Sequence, residues 1–267
     1  MIGAIYGDII GSVYEHNATK SEDFALLSDG STFTDDTVLT VAVAEALLYR
    51  ADHPQDRTAP DALYAARFRQ YYARYPDAGY GGMFIQWAQS RDAVRNNSYG
   101  NGAAMRVSPI GYAFDGIEEV LREAKASCTF THNHPDAIAG AQATAACVYL
   151  ARQRASKQEI KTFVQRRFRY DLSFSLESIR STYGFEIQTS KCVPPCIVAF
   201  LESHDYESAI RKVISLGGDS DTMACITGGI AHAFYQEMPS DLHQACWNRL
   251  DSGLRKTIQA FSSKYSI

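Results

Sequence analysis

The chain has no excess of positive charge: 26 lysines and arginines stand against 30 aspartates and glutamates, a formal net charge of -4. A protein that holds nucleic acid mainly by neutralising phosphates carries a basic excess or stripe, and the one small basic run, Arg166, Arg167 and Arg169, reads as a solvated helix face. The six cysteines (Cys128, Cys147, Cys192, Cys196, Cys225, Cys246) form no CxxC pair and have no histidine companions at zinc-ligand spacing, so they read as reduced, buried thiols. No run approaches the roughly 20 apolar residues of a membrane span. The opening MIGAIYGDIIGSVYE has no basic leader and is interrupted by Asp8, so it fails as a signal peptide, and a cytoplasmic protein without a membrane partner is expected. Proline is scarce, at 8 residues, and two-residue alternation of apolar and polar positions is rare, which disfavours both a disordered chain and a β architecture.

What remains is helical periodicity. Residues 36–50, DTVLTVAVAEALLYR, are rich in Ala and Leu behind good N-terminal residues, and similar stretches run over 60–74, 82–92, 116–126, 135–153, 156–168, 195–203, 206–215, 221–236 and 241–263. The expectation is an all-α, compact multi-helix fold, with residues 1–267 forming one domain. Turn residues concentrate at 17–31, 74–82, 95–102 and 131–135, and none of these reads as an interdomain linker. The series Phe163, Phe168, Tyr170, Phe174 and both tryptophans, Trp87 and Trp247, read as core.

Two acid clusters stand where helices should begin: Thr34-Asp35-Asp36 in STFTDDTVLT and Asp219-Ser220-Asp221-Thr222 in LGGDSDTMACITGG. Either alone is explained by helix capping, because Asp and Thr satisfy free amides and face the positive end of the helix dipole. The second cluster, however, lies between Gly217-Gly218 and an apolar run, so its carboxylates should be buried, and buried carboxylates that repel one another need a cation. Four carboxylates and two hydroxyls suit hard divalent cations such as Mg2+ or Mn2+. The clusters therefore read as two halves of one metal site.

Five motifs, GDIIGSVYE (7–15), FTDDT (33–37), SYGNGAAMR (98–106), THNHPDA (131–137) and GGDSDTMA (217–224), occur in an order that resembles the ADP-ribosylglycohydrolase family, also called ADP-ribosyl-acceptor hydrolases. The resemblance spans nearly the entire chain. It implies an all-helical fold with two Mg2+ or Mn2+ ions, cleaving the glycosidic bond between ADP-ribose and an acceptor. Carried over motif by motif, Thr34, Asp35, Asp36, Asp219, Asp221 and Thr222 match the family's metal ligands, so that Asp35 and Asp36 also count among the catalytic residues. Glu15 matches a glutamate that swings over the metals in one branch and acts on substrate or water, while Asp8 reads either as a participant or as a buried polar anchor on the same helix. Gly81, Gly82, Ser98, Tyr99, Gly100 and Asn101 resemble the phosphate and adenosine contacts, and His132 matches a histidine lining the ADP-ribose site; His134 reads as a turn residue.

The implied partners are an ADP-ribosylated protein or small molecule as substrate and ADP-ribose as product, with nucleic acid indicated only as an ADP-ribosylated substrate. Tyr14-Glu15 and SYGNGAAMR stand slightly closer to the branch acting on O-linked ADP-ribose, on serine or in O-acetyl-ADP-ribose, than to the arginine branch. Two other readings stay open: a catalytically silent ADP-ribose binder or crystallin-like member, and a binuclear phosphohydrolase that cleaves a pyrophosphate. The segment 156–190, including STYGFEIQTS, matches no family motif, and the cysteines of CVPPC (192–196) have no assigned role.

Overall fold

A computed structural model describes residues 1–90 and 95–266. Fourteen helices make up the described chain in the order α1 (Ile2–Gly11), α2 (Asp35–Asp52), α3 (Pro60–Arg74), α4 (Gly82–Gln89), α5 (Ile110–Ala113), α6 (Ile117–Cys128), α7 (Pro135–Arg152), α8 (Lys157–Phe168), α9 (Leu176–Arg180), α10 (Thr189–Glu202), α11 (Tyr206–Ile214), α12 (Ser220–Tyr235), α13 (Ser240–Trp247) and α14 (Ser252–Tyr265). A short 3-10 turn covers Asn101–Ala103, and the β-type pairing among these residues is confined to two isolated bridges, Asn97 with His132 and Gly100 with Gln188. The all-α expectation holds. No helix among the described residues is long and apolar enough to cross a membrane.

The centre of the fold is α12, buried along most of its length and packed by α1, α7, α10 and α11. Its tightest contact is with α1, which runs antiparallel to it. Gly3, Gly7 and Gly11 follow one another at four-residue spacing and so share one face of α1. A Cβ on Gly3 would collide with Gly228 and His232, one on Gly7 with the carbonyl of Ala224, and one on Gly11 would lie 2.6 Å from the Cα of Asp221. Backbone therefore lies directly against backbone, and the N-terminus of α12 is pulled up to the C-terminus of α1. At the other end of α2, Arg50 pairs with Glu123 of α6 at 2.9 Å while Tyr64 of α3 donates to the same carboxylate at 3.0 Å, fixing the axis of α2 against its neighbours.

Three helix boundaries differ from expectation, each for a local reason. The expected helix over 241–263 is two helices, because Asp251 takes the amide of Leu254 (2.9 Å) and starts α14 afresh. The helix expected over 195–203 begins at Thr189 and carries Pro194 and Pro195 inside it; the carbonyl of Lys191, which Pro195 cannot bond, accepts from the Tyr183 hydroxyl at 3.4 Å. The expected helix over 82–92 ends at Gln89, with Ser90 extended, and positions 91 and 92 lie outside the described residues. All six cysteines are buried and unpaired, as the scattered spacing implied. Trp87 is core, whereas Trp247, Phe168, Tyr170 and Phe174 are half-buried against it, and Phe163 is half-buried with its ring against Phe168.

Candidate metal centre and ligand cleft

Two helix N-termini converge on one point. Thr34 is the N-cap of α2 and Asp219 that of α12, so both acid clusters occupy first turns, and Thr222 Oγ1 of the second donates to Asp36 Oδ2 of the first at 3.2 Å. Asp8, one residue beyond the closest α1–α12 approach, reaches across to the start of α2. Its carboxylate accepts from Thr34 N (2.9 Å), Thr34 Oγ1 (2.7 Å), Thr37 N (3.1 Å) and Thr37 Oγ1 (2.5 Å). Because the Thr34 hydroxyl gives its proton to Asp8, its oxygen is left as an acceptor, and it takes the amide of Asp36 at 3.4 Å as the cap of α2. Asp8 is thus the buried anchor of the two sequence readings, and it also lies close to the acids themselves.

One oxygen each of Asp8, Asp36 and Asp221 lies within 4.8 Å of the others, and the same holds for Glu15, Asp219 and Asp221. Asp221 belongs to both groups. Asp35 is in neither: its amide donates to Ala78 O at 2.7 Å and its side chain is half-buried at the cleft wall. Glu15 does not sit on a helix. α1 stops at Gly11, Tyr14 N turns back to Gly11 O (2.8 Å), and Glu15 occupies the bend beyond, half-buried over Asp219 and Asp221.

Loss of solvation, and then the negative charge of Asp221, push all the neighbouring carboxyls upward. Asp8 is raised to about 7, Glu15 is raised, and Asp35, Asp36 and Asp219 stand well above the ordinary carboxylate range. Asn101 partly offsets this at Asp219, whose Oδ2 accepts from Asn101 Nδ2 at 2.7 Å. Asp36 Oδ1 is buried and has no hydrogen-bond partner among the described residues. An orphaned carboxylate oxygen in a cluster of mutually repelling carboxyls fits a hard cation as its missing partner, and the all-oxygen donor set fits Mg2+ or Mn2+.

The acids form the floor of a cleft of about 330 Å³. Of the residues expected to contact substrate, Gly81, Gly82, Ser98, Gly100, Asn101 and His132 all line it. Gly81 and Gly82 open α4, and nothing lies within 4 Å of where either Cβ would be, so no neighbouring group crowds the backbone there. Tyr99 is the exception: its ring is half-exposed, stands edge-on to His134, and is not part of the lining, while its carbonyl holds Thr189 N (3.0 Å) and Thr189 Oγ1 (2.8 Å). His134 caps α7 by accepting from Asp136 N at 3.1 Å, as its place before proline implied.

Sequence reading missed Met83, Phe185 and Ile187, which form an apolar part of the lining, and Arg106 and Thr131 below His132. Four large apolar side chains are markedly exposed among the described residues, and three of them are Met83, Phe185 and Ile187. The signal in the sequence was Phe185 and Ile187 alternating within the polar stretch STYGFEIQTS. A clamp holds that stretch: Lys20 Nζ donates to the carbonyls of Tyr183 (2.6 Å) and Leu216, and Arg180 Nη2 pairs with Glu22 at 2.7 Å.

Asp8→Asn is expected to weaken binding of Mg2+ or Mn2+ by about 10- to 100-fold, the usual cost of losing a residue that orients a ligand rather than binding the ion itself. Calorimetric titration of the cation checks this, and unchanged affinity would reduce Asp8 to a simple helix anchor.

The fold and the cleft together define an all-helical protein whose two helix starts gather carboxylates beneath a ligand-sized cavity. The chain belongs to the ADP-ribosylglycohydrolase family, whose model matches residues 1–265. It is similar to the ADP-ribosylhydrolase ARH3 of Mus musculus, with 28% identity over 92% of this chain and 86% of that protein. Similarity to ARH3 of Homo sapiens is 26% over 92% and 87% of the two chains. Among solved structures, an ADP-ribosylglycohydrolase-related protein complex shares the fold with a TM-score of 0.72 at 22% identity, over 97% of this chain and 95% of that one.

Proposed function

We propose that this chain is a metal-dependent hydrolase of residues 1–267 that splits the glycosidic bond between ADP-ribose and an acceptor. The observation that carries the proposal is that Asp36 and Asp219, from opposite ends of the chain, each lie within reach of Asp221 on the floor of the cleft, with Asp36 Oδ1 left unpartnered among the described residues. Family membership and the names of the ARH3 relatives support ADP-ribose as the group held. Thr34, Asp35, Asp36, Asp219, Asp221 and Thr222 would hold two divalent cations, Mg2+ or Mn2+. When bound, such ions supply Lewis acidity and fix the ribose hydroxyls.

The chain's own residues then do the following. Gly81, Gly82 and Ser98 to Asn101 seat the diphosphate and adenosine, and His132 contacts the same ligand from below. Glu15, raised and placed over Asp219 and Asp221, takes a proton from the attacking water as its oxygen bonds to the anomeric carbon and the bond to the acceptor breaks. Glu15 returns that proton to the departing acceptor, and ADP-ribose remains whole. O-linked substrates, serine-linked or O-acetyl, are placed slightly ahead of arginine-linked ones.

The test is incubation with serine-linked, arginine-linked and DNA-linked ADP-ribose, with and without EDTA, and chromatography of the products. Intact ADP-ribose is expected, with turnover falling by at least about 100-fold on chelation and in Asp35→Asn/Asp221→Asn. AMP among the products would indicate pyrophosphate cleavage, and tight ADP-ribose binding without hydrolysis of any linkage would indicate a silent binder. Full activity after metal removal would overturn the metal-dependent reading.

A further inference from the structure

Arg106 is a charged side chain wholly inside the protein. Burial pushes its pKa down to about 10, so it stays charged at neutral pH. Its guanidinium stacks over Phe68 at 4.1 Å, and its Nη2 donates to Ser127 O (2.9 Å) and Thr131 Oγ1 (2.6 Å). Nε and Nη1 have no hydrogen-bond partner among the described residues. The family resemblance gave this arginine no role, although it closes the motif SYGNGAAMR.

The direction of the next bond follows from counting protons. A guanidinium has no lone pair, so Thr131 Oγ1 must accept from it, and the hydroxyl is left with its own single proton to give. The atom within reach is Nδ1 of His132, at 2.8 Å. Nδ1 is then an acceptor, and the proton of the neutral imidazole resides on Nε2. Burial, and then the Arg106 charge, hold the His132 pKa well below its ordinary value, so the ring is neutral. Its backbone is pinned by a 2.7 Å bond from His132 N to Cys128 O and by the bridge to Asn97. Nε2 faces the glycine strip of the cleft: a Cβ on Gly102 would sit 3.0 Å from it and one on Gly100 3.9 Å.

We infer that Arg106 and Thr131 are positioning residues that lock His132 in the Nε2–H tautomer, making it a fixed hydrogen-bond donor to an oxygen of the bound ligand. The inference rests on the reading of the cleft as an ADP-ribose site for the identity of that oxygen, and on hydrogen-bond geometry alone for the tautomer. His132 therefore acts neither as a general acid nor as a general base. It offers the ligand a directed proton whose position is set two residues away in the hydrogen-bond chain, beneath the cleft surface.

Long-range 1H–15N correlation spectra of the imidazoles read the tautomer directly in the full-length protein, with His132→Gln assigning the resonance. The wild type is expected to show His132 protonated at Nε2, and Thr131→Val to lose that preference together with about tenfold in ADP-ribose affinity, the worth of one directed hydrogen bond. Thr131→Ser, which keeps the hydroxyl, is expected to restore both. Arg106→Lys is the harsher variant, and Thr131→Val keeps the test open where Arg106→Lys fails to fold. Wild-type His132 protonated at Nδ1, or a Thr131→Val protein with unaltered tautomer and affinity, overturns the inference and leaves the hydrolase reading intact. An Nε2–H tautomer in a protein that neither binds nor hydrolyses ADP-ribose sinks that reading and leaves the lock standing.

Discussion

Gly7→Ala is expected to cost about 3 kcal/mol or more of stability, although it adds a single methyl group. The added carbon would fall on the carbonyl of Ala224, which is helix backbone rather than the movable end of a side chain. Relief requires α1 and α12 to separate, and overpacking that cannot be relieved by rotamer change lies at the upper end of the usual 1–3 kcal/mol or beyond it. For a chain of this length the shift in melting temperature is roughly 6–12 °C. The movement also carries Asp8 away from Thr34 and Thr37, so cation affinity should fall with stability. Thermal melts with and without Mg2+ check both effects. A melting temperature within about 2 °C of the wild type would show that the helices do not meet as closely as described.

The second large effect concerns pH. Asp8, Glu15, Asp35, Asp36 and Asp219 all hold their protons more tightly folded than unfolded, because burial and the Asp221 charge raise them. The stability they contribute to the metal-free protein is therefore fully present below the unfolded carboxylate range, near pH 4, and is lost as pH rises through their raised folded values, about 7 for Asp8. Metal-free protein should lose stability from pH 5 to pH 7.5 relative to an Asp36→Asn/Asp221→Asn variant, in which much of the repulsion is gone. Mg2+ or Mn2+ reverses the trend. At a thousandfold excess over the dissociation constant, a single ion adds about 4 kcal/mol, or roughly 8–16 °C, and less at pH 5 where protons compete. Melts across this range decide it: a metal-free wild type that gains stability toward pH 7.5 against that variant, or ignores the cation, would remove the case for a charge-driven site.

Much of this was legible in the chain. Acid clusters at helix starts were visible because capping chemistry is local, and the order of five motifs tied them to one family. Asp8 was only half legible, since its role depends on hydrogen bonds to Thr34 and Thr37, 26 and 29 residues away, and on a glycine face that brings α1 against α12. Asp35 and Asp36, being adjacent, cannot point the same way along a helix, and only the structure assigns them: the first turn of α2 sends Asp35 to the cleft wall and Asp36 into the cluster. Phe185 and Ile187 stood out only as apolar residues in a polar stretch, and their place in the cleft was not legible because a clamp formed by Lys20 and Arg180 positions their segment. Arg106 was hidden for a different reason: a lone arginine at a motif's end carries no mark of being buried.

The antiparallel union of α1 and α12 has a consequence for how the protein comes into being. The hydrogen bond joining the acid clusters spans 186 positions. During synthesis the first acid cluster and the glycine face of α1 emerge long before their counterpart exists, and must wait, unpaired, for almost the whole chain. Closing so large a loop is costly in entropy and slow, as in other topologies dominated by distant contacts. Truncation anywhere before α12 removes Asp219, Asp221 and Thr222 together, so both acid clusters are present only once the last fifth of the chain begins to arrive.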